Sequence, residues 1–501
     1  MGQISAFWRL IGAGWVLVRA DALIPREIDP VLPPPARLAA RTLRLLAGPR
    51  ARLGRPGQRL ASALEGLGPA AIKMGQFLST RADIFGTPFA QDLSHLKDRL
   101  APFPLSQARA QIEQGLGRPI DSLFSRLEEP VAAASLAQAH PAWLLDGTKV
   151  AVKVLRPGIE QQVTQDSAVL RLAADLAERL VPQARRLKPR DFVEVVIRAL
   201  DLEMDLRFEA AGCAELGEVM AKDPYMTAPA VVWDGVGRRV LTLAWADGAP
   251  LSDPEALVLE GLDRPTLANN ITRGFLAQAL DHGLFHADLH EGNLFVAAPA
   301  RVVAVDYGII GRLGPGERRY LAEILYGFLG RDYRRIAQIH FDAGYVPAHH
   351  DVDAFAQALR AVGEPIFGRD ARDVSMGRLL AQLFEITALF EMALRPELVL
   401  LQKTMVTVEG VARRIDPAHD IWAAADPVVR RWITRELSPV AKVRDFADEA
   451  IRALRAMAQL AQAPTPPVAV VAAPRPRPLV WFVAGAMVAA VAFTAGALAF
   501  G

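Results

Sequence analysis

The spacing of apolar positions divides the chain into stretches of different character. An apolar run at Leu10–Val18, with Phe7, Trp8 and Trp15 in and beside it, is followed by a proline-rich breaker at Pro30, Pro33, Pro34 and Pro35. Helical periodicity then continues to about Gly117. From Val131 the pattern shortens: Val131–His140 and Lys149–Leu155 predict a hairpin-like pair of strands across Asp146 and Gly147. Helical spacing returns over Ile159–Leu180 and Asp191–Cys213, after which Ala230–Trp233 and Arg239–Trp245 predict two more strands. Beyond Gly248 the pattern is helical through Met457, interrupted by two short strand candidates, Leu294–Val296 and Val302–Val305. This order predicts an α+β body with a small β-containing lobe ahead of a larger helical one. The boundaries read as an N-terminal amphipathic segment (1–30), a helical extension (31–125), the small lobe with a helical insert (126–248), the large lobe (249–460), an Ala/Pro linker (461–478) and an apolar span (479–500).

The two ends point to a membrane. Leu479–Phe500 holds no charge over 22 residues, and a helix of that length covers about 33 Å, enough to cross a bilayer. Arg475 and Arg477 precede it, so the positive-inside tendency predicts a single-pass protein of the inner (cytoplasmic) membrane whose body faces the cytoplasm. At the N-terminus, Arg9, the apolar run and Ala20-Asp21-Ala22 imitate a signal peptide, but Arg19 interrupts the pattern. The preferred reading is an interfacial amphipathic helix, ahead of a helix packed on the body. Ala6 stands where a myristoylation signal wants Ser or Thr. Charge changes this picture little. The net +2 carries no nucleic-acid signature, although Arg37, Arg41, Arg44, Arg50, Arg52, Arg55 and Arg59 make one stretch basic, facing anionic lipid or solvent. Cys213 is the one cysteine, which excludes an intramolecular disulfide.

The chemistry concentrates in the middle of the chain. His286, Asp288 and Asn293 stand in the spacing H-x-D-x-x-x-x-N of a kinase catalytic loop, and Asp306-Tyr307-Gly308 follows in the place of D-F-G. Phosphoryl transfer needs such an arrangement because Mg²⁺ bridging the phosphates of ATP wants oxygen ligands, here Asn293 and Asp306, held on opposing turns. Asp288 would orient or deprotonate the nucleophile. Upstream, Val150-Ala151-Val152-Lys153 matches the strand whose lysine pairs with the nucleotide phosphates. Where a kinase has its glycine-rich loop, this chain has Ala133, Ala134, Ser135, Leu136, Ala137 and Gln138. Their Cβ atoms occupy space that glycines leave open, so the nucleotide pose and substrate access should differ from those of a protein kinase. Lys73 and Gln76, three apart on one helix face, have no generic chemistry and fit simple solvation. Glu203, Asp205 and Glu209 read as three acids around one helical segment, each able to pair with Lys153 or face water.

Together and in this order, the KxGQ tetrapeptide Lys73-Met74-Gly75-Gln76, the alanine-rich loop, the E-x-D pair with its following Glu, the H-x-D loop and the D-[FY]-G triplet resemble the UbiB family of atypical kinases, associated with ubiquinone biosynthesis. The resemblance covers roughly Gly66 to Leu313. It implies a bilobal protein-kinase-like fold, ATP and Mg²⁺ as cofactors, and ATPase activity rather than protein phosphorylation. It also implies contact with membrane lipid or polyprenyl-quinone intermediates and with other ubiquinone-biosynthesis enzymes, and no nucleic-acid partner. By position it makes Lys153 the phosphate-binding lysine, Glu209 its helix partner, Asp288 the catalytic aspartate, and Asn293 and Asp306 the magnesium ligands. Glu203 and Asp205 become the pair that meets Lys73 and Gln76 where a protein kinase admits its peptide, and Ala244 and Trp245 become part of the adenine-binding hinge. This chain departs from the family in Tyr307 for the usual Phe, in Ala244 where an acid is common, and in one C-terminal span where two are often described.

Overall fold

Alternation along Lys149–Leu155 sets the geometry of the small lobe. Val150, Val152 and Val154 are fully buried against Ile112, Phe124 and Val240, which turns Ala151 and Lys153 to the opposite face. The computed structural model describes residues 3–22, 38, 41–42, 44–48, 54–79, 87–94, 96, 101–180, 188–367, 386, 389–392 and 396–436. In it, Lys149–Leu155 is strand β4 of an antiparallel sheet ordered β1 (Phe124–Leu127), β3 (Ala137–Leu144), β4 and β5 (Val240–Ala244). The short β2 (Ala132–Ala133) pairs with β3 outside that order.

Among the described residues, the helices α1 (Gln3–Arg19), α2 (Pro56–Glu65), α3 (Pro69–Ser79), α4 (Thr87–Ser94) and α5 (Leu105–Leu116) precede or flank this sheet. Ala61, Leu64, Leu93 and Leu96 form a small core among α2, α3 and the end of α4. The α5 helix belongs instead to the sheet, since its Ile112 sits among the β4 valines, so the small-lobe core begins upstream of residue 126. The helical insert is α6 (Ile159–Leu180), α7 (Pro189–Glu203) and α8 (Leu206–Met220).

Three expected elements differ from the observed ones. Val131–His140 is not one strand but a tight hairpin, β2 turning into β3 with the Ala134 N–H donating to the Ala137 carbonyl at 2.8 Å. Asp191–Cys213 is not one helix. It breaks at Met204–Asp205, where the Asp205 carboxylate accepts from the Arg207 N–H and caps α8. Ala230–Trp233 is no strand: its pairing with β5 stops after the bonds at Ala230 and Val232, because a 3₁₀ turn at Trp233–Gly235 redirects the chain.

In the large lobe, α9 (Arg264–Ala277) runs into a π-turn at Gln278–His282 and then β7 (Leu284–His286). β7 pairs with β10 (Ile310–Arg312), and β6 (Ala249–Pro250), β8 (Leu294–Ala297) and β9 (Arg301–Ala304) form a three-stranded sheet, so both expected strands around Asn293–Asp306 are present. Helices α10 (Pro315–Leu329), α11 (Tyr333–Asp342), α12 (Val352–Phe367), α13 (Pro396–Ile415) and α14 (Ile421–Glu436) complete the lobe, with Tyr333, Ile336 and Phe355 at one core. The linker 461–478 and the apolar run Leu479–Phe500 lie outside the described residues. Among the described residues no helix is long and apolar enough to cross a membrane.

Candidate active site

Lys153 reaches the cleft because it alternates with the core valines of β4, and Glu209 meets it from the first turn of α8. The ammonium lies 2.7 and 2.8 Å from the two Glu209 carboxylate oxygens and 3.5 Å from Asp306 Oδ1. Burial opposes the charge on Lys153, but the Asp306 and Glu209 carboxylates outweigh it and raise its pKa, so the ammonium stays charged. Burial pushes the Glu209 carboxyl up to about 7, with Lys153 only partly offsetting it. Asp306 is different. Lys153 lowers its carboxyl against the effect of burial, helped by the Gly308 N–H and more weakly by Lys73, which keeps a half-exposed anion at the mouth of the loop.

Two loops carry the remaining groups. The catalytic-type loop leaves β7 and the Asp306 loop joins β9 to β10, and His286 ties them together. Its Nδ1 accepts from the Asp288 N–H at 3.1 Å, and its Nε2 donates to the Val305 carbonyl at 3.1 Å. Burial lowers the His286 pKa, so the ring is a neutral strut rather than an acid or base. Asn293 donates from Nδ2 to the Asp288 carbonyl at 3.0 Å, so its Oδ1 is the atom that could coordinate a metal. Asp306 holds φ +62°, a left-handed conformation that Asp tolerates better than most residues. Tyr307 is 2% exposed, and its hydroxyl donates to the Ala304 carbonyl at 2.8 Å, so the hydroxyl that replaces a Phe hydrogen has a partner. Asp288 offers a side chain that is 36% exposed, with His290 Nε2 3.6 Å away. Hard oxygen donors from Asn293 and Asp306, beside a fixed ammonium, fit a magnesium–triphosphate group.

The KxGQ segment lies on α3, and each of its first three residues has a physical role. Lys73 pairs with Glu203 Oε1 at 2.7 Å, at the end of α7. Met74 packs on Ala174, Val193 and Ile197 of α6 and α7. Gly75 permits close approach, because a Cβ there would meet Leu96 at 2.2 Å and Leu64 at 2.7 Å. Gln76 contributes its carbonyl to Ser79 Oγ at 2.6 Å. Asp205, expected to meet this segment with Glu203, is instead engaged by its neighbour Arg207 at 2.9 and 2.6 Å.

The alanine-rich turn is held from behind. The Arg156 guanidinium donates to the Ala134 carbonyl at 2.9 Å, and Ser135, Leu136 and Ala137 are buried. Gln138, expected at the nucleotide, is spent on structure: its amide exchanges hydrogen bonds with the Phe103 backbone at 3.0 and 3.1 Å and lies 2.8 Å from His140 Nε2. Ala133 pairs in the β2–β3 ladder. In the hinge, the Ala244 N–H donates to Ala230 at 2.8 Å and the Trp245 N–H to Lys149 at 3.3 Å, while the Lys149 ammonium sits 3.8 Å from the Trp245 ring.

Several supporting residues escape sequence reasoning. Gln278 accepts the His286 N–H at 3.0 Å from the π-turn, Arg207 holds Asp205, and Arg414 of α13 pairs with Glu291 inside the catalytic-type loop. The pairing of Arg414 with Glu291 joins positions distant in sequence, and that of Gln278 with His286 depends on the π-turn between them, so neither leaves a local pattern.

The chain matches the ABC1 atypical kinase-like domain over residues 95–340 and the UbiB helical domain over residues 359–420. It is 39% identical over 443 residues to the probable protein kinase UbiB of Marinobacter nauticus, covering 87% of this chain and 80% of the relative. With the namesake of Pseudomonas aeruginosa UCBPP-PA14 it shares 40% over 455 residues, 89% of this chain and 85% of the relative. With that of Azotobacter vinelandii it shares 42% over 399 residues, 78% and 74%. Among solved structures, a complex of Rv3197 with erythromycin from Mycobacterium tuberculosis superposes with a TM-score of 0.51 at 22% identity, covering 74% of this chain and 94% of that one, a likeness of fold.

Proposed function

The chain belongs to the UbiB family of ABC1 atypical kinase-like proteins, and from that premise we propose that it is a membrane-anchored, Mg²⁺-dependent ATPase supporting ubiquinone biosynthesis. The observation that carries this reading is the convergence of Lys153, Glu209 and Asp306 within 3.5 Å, beside the loop of Asp288 and Asn293. Bound Mg-ATP supplies an activated γ-phosphoryl group. Lys153, fixed by Glu209, would neutralise phosphate charge, and Asn293 and Asp306 would hold the metal. Asp288 would orient the attacking water and accept its proton as the new bond to the γ-phosphorus forms and the bond to the ADP oxygen breaks, so that ADP and inorganic phosphate leave.

Water is favoured over a peptide because the Lys73–Glu203 pair fixes α3 against α7 on the acceptor side, close enough for Lys73 to act on the Asp306 carboxyl. Anchoring through Leu479–Phe500 places this cycle beside polyprenyl-quinone intermediates, which stay in the bilayer, and hydrolysis then drives their presentation to soluble enzymes. The name of the relatives, probable protein kinase, favours transfer to another acceptor as the second reading. The test is ATP turnover by the full-length protein in lipid nanodiscs, with and without a polyprenyl-phenol. Phosphate release that rises with the lipid and is lost in Asp288→Asn supports the proposal. Release indifferent to Asp288→Asn contradicts it, and label found on protein or lipid favours the kinase.

A further inference from the structure

The α1 helix presents apolar side chains to solvent on the face turned away from the protein. Trp8, Ile11 and Trp15 recur at helical spacing and are 66%, 46% and 49% exposed, with Arg19 continuing the same face. The helix packs beside that face: Val18, one helical repeat after Ile11 at its edge, is buried, the helix lies along α6, and Arg9 pairs with Asp166 of α6 at 3.2 Å. The segment 44–48 is stitched to the end of α1 by the Gly48 N–H donating to the Arg19 carbonyl at 2.9 Å and by Arg44 with Asp21 at 3.3 Å. It adds Leu45 and Leu46, 84% and 50% exposed. Residues 1–60 hold ten arginines and three acids, a net +7, whereas the whole chain carries +2, so the remainder is net acidic.

We infer that the α1 face and the 44–48 segment form an interfacial docking surface for an anionic lipid bilayer, a membrane contact separate from the C-terminal run. Tryptophan and branched apolar side chains on one face favour the headgroup–acyl boundary, and the exposed Arg19 on that face, in a segment of net positive charge, is drawn to anionic headgroups. A protein partner would have to match the same apolar face and a strongly one-signed charge together. The inference rests on the membrane half of the function proposed above and not on turnover. Its consequence is orientation: the helical extension that carries Lys73 is held flat on the lipid.

The buried Cys213 makes a clean test possible, since an Ile11→Cys variant offers one accessible thiol for an environment-sensitive fluorophore. The full-length protein is placed in nanodiscs of phosphatidylcholine with or without phosphatidylglycerol, some carrying doxyl-labelled acyl chains. A label at Val258, 78% exposed in the large lobe, serves as control. The inference expects blue-shifted emission at position 11 and severalfold stronger doxyl quenching there than at position 258. It also expects weakening without phosphatidylglycerol or in high salt, and at least a halving of quenching when Trp15→Glu is added. Water-like, unquenched emission at position 11 in protein that stays incorporated overturns it, as does a blue shift that appears only with an added protein. Failure of the C-terminal anchor gives a different result: alkali releases the protein while position 11 still reports lipid beforehand.

Discussion

Two lysine–glutamate pairs of the same length, 2.7 Å, flank this site and do different work. Lys153 and Glu209 sit beside a third charge, Asp306, so the lysine is shared between a helix and the loop that joins β9 to β10. Lys73 and Glu203 join two helices of the extension. The acids lie six residues apart, and the break at Met204–Asp205 is what sends them to separate lysines. An unbroken helix would carry Glu203 and Glu209 about 100° per residue around one cylinder and on in a single rise, whereas the capped start of α8 aims Glu209 at β4. A local capping choice therefore divides one acidic stretch between the Lys153–Asp306 cluster and the contact of α3 with α7.

The largest expected effect breaks the first pair's setting. Asp306→Asn or Lys153→Met should lower ATP turnover about 100-fold or more, as loss of a preorganised charge does at other transition states, measured by steady-state phosphate release. Glu209→Gln should cost about tenfold at alkaline pH and flatten the pH profile. The sign follows from a carboxyl raised from its ordinary value to about 7: it is ionised and paired with Lys153 above that pH, and the pair is lost as pH falls through it. Wild-type kcat/KM should therefore rise through neutrality, and a parallel profile in the Gln variant would refute this.

Smaller effects belong to the second pair. Gly75→Val places a side chain where even a Cβ would lie 2.2 Å from Leu96, so overpacking should cost roughly 1–3 kcal/mol, read as a lower Tm with nucleotide affinity nearly unchanged. Lys73→Met removes a mostly buried pair but no phosphate contact. A contribution on the order of 1 kcal/mol translates into a change of about fivefold or less in turnover, accompanied by faster amide exchange in α3.

How far these regions were legible in the sequence follows the same division. Lys153, Asp288, Asn293 and Asp306 were readable because a period-two strand and two loops with fixed spacings carry them, and the structure brings Lys153 and Asp306 within an ion-pair distance. The KxGQ segment gave no chemistry on its own, since Gly75 matters through Leu64 and Leu96 and Lys73 through Glu203, contacts that only tertiary packing creates. Gln138 misled for the same reason: its place in the alanine-rich turn suggested phosphate, but burial against Phe103 and His140 consumes its amide. The helix break at Asp205 was masked by apolar periodicity on both sides, although an aspartate, whose carboxylate can accept a backbone N–H of a following first turn, was itself an N-cap candidate.

The most direct test of the account follows the γ-phosphate. With [γ-³²P]ATP and the full-length protein in anionic nanodiscs, the label should appear as inorganic phosphate only when Mg²⁺ is present, and should remain on ATP in the Asp306→Asn variant. Equal release by Asp306→Asn, or release without a divalent cation, would contradict the assignment of Lys153, Asn293 and Asp306 as one metal–nucleotide site.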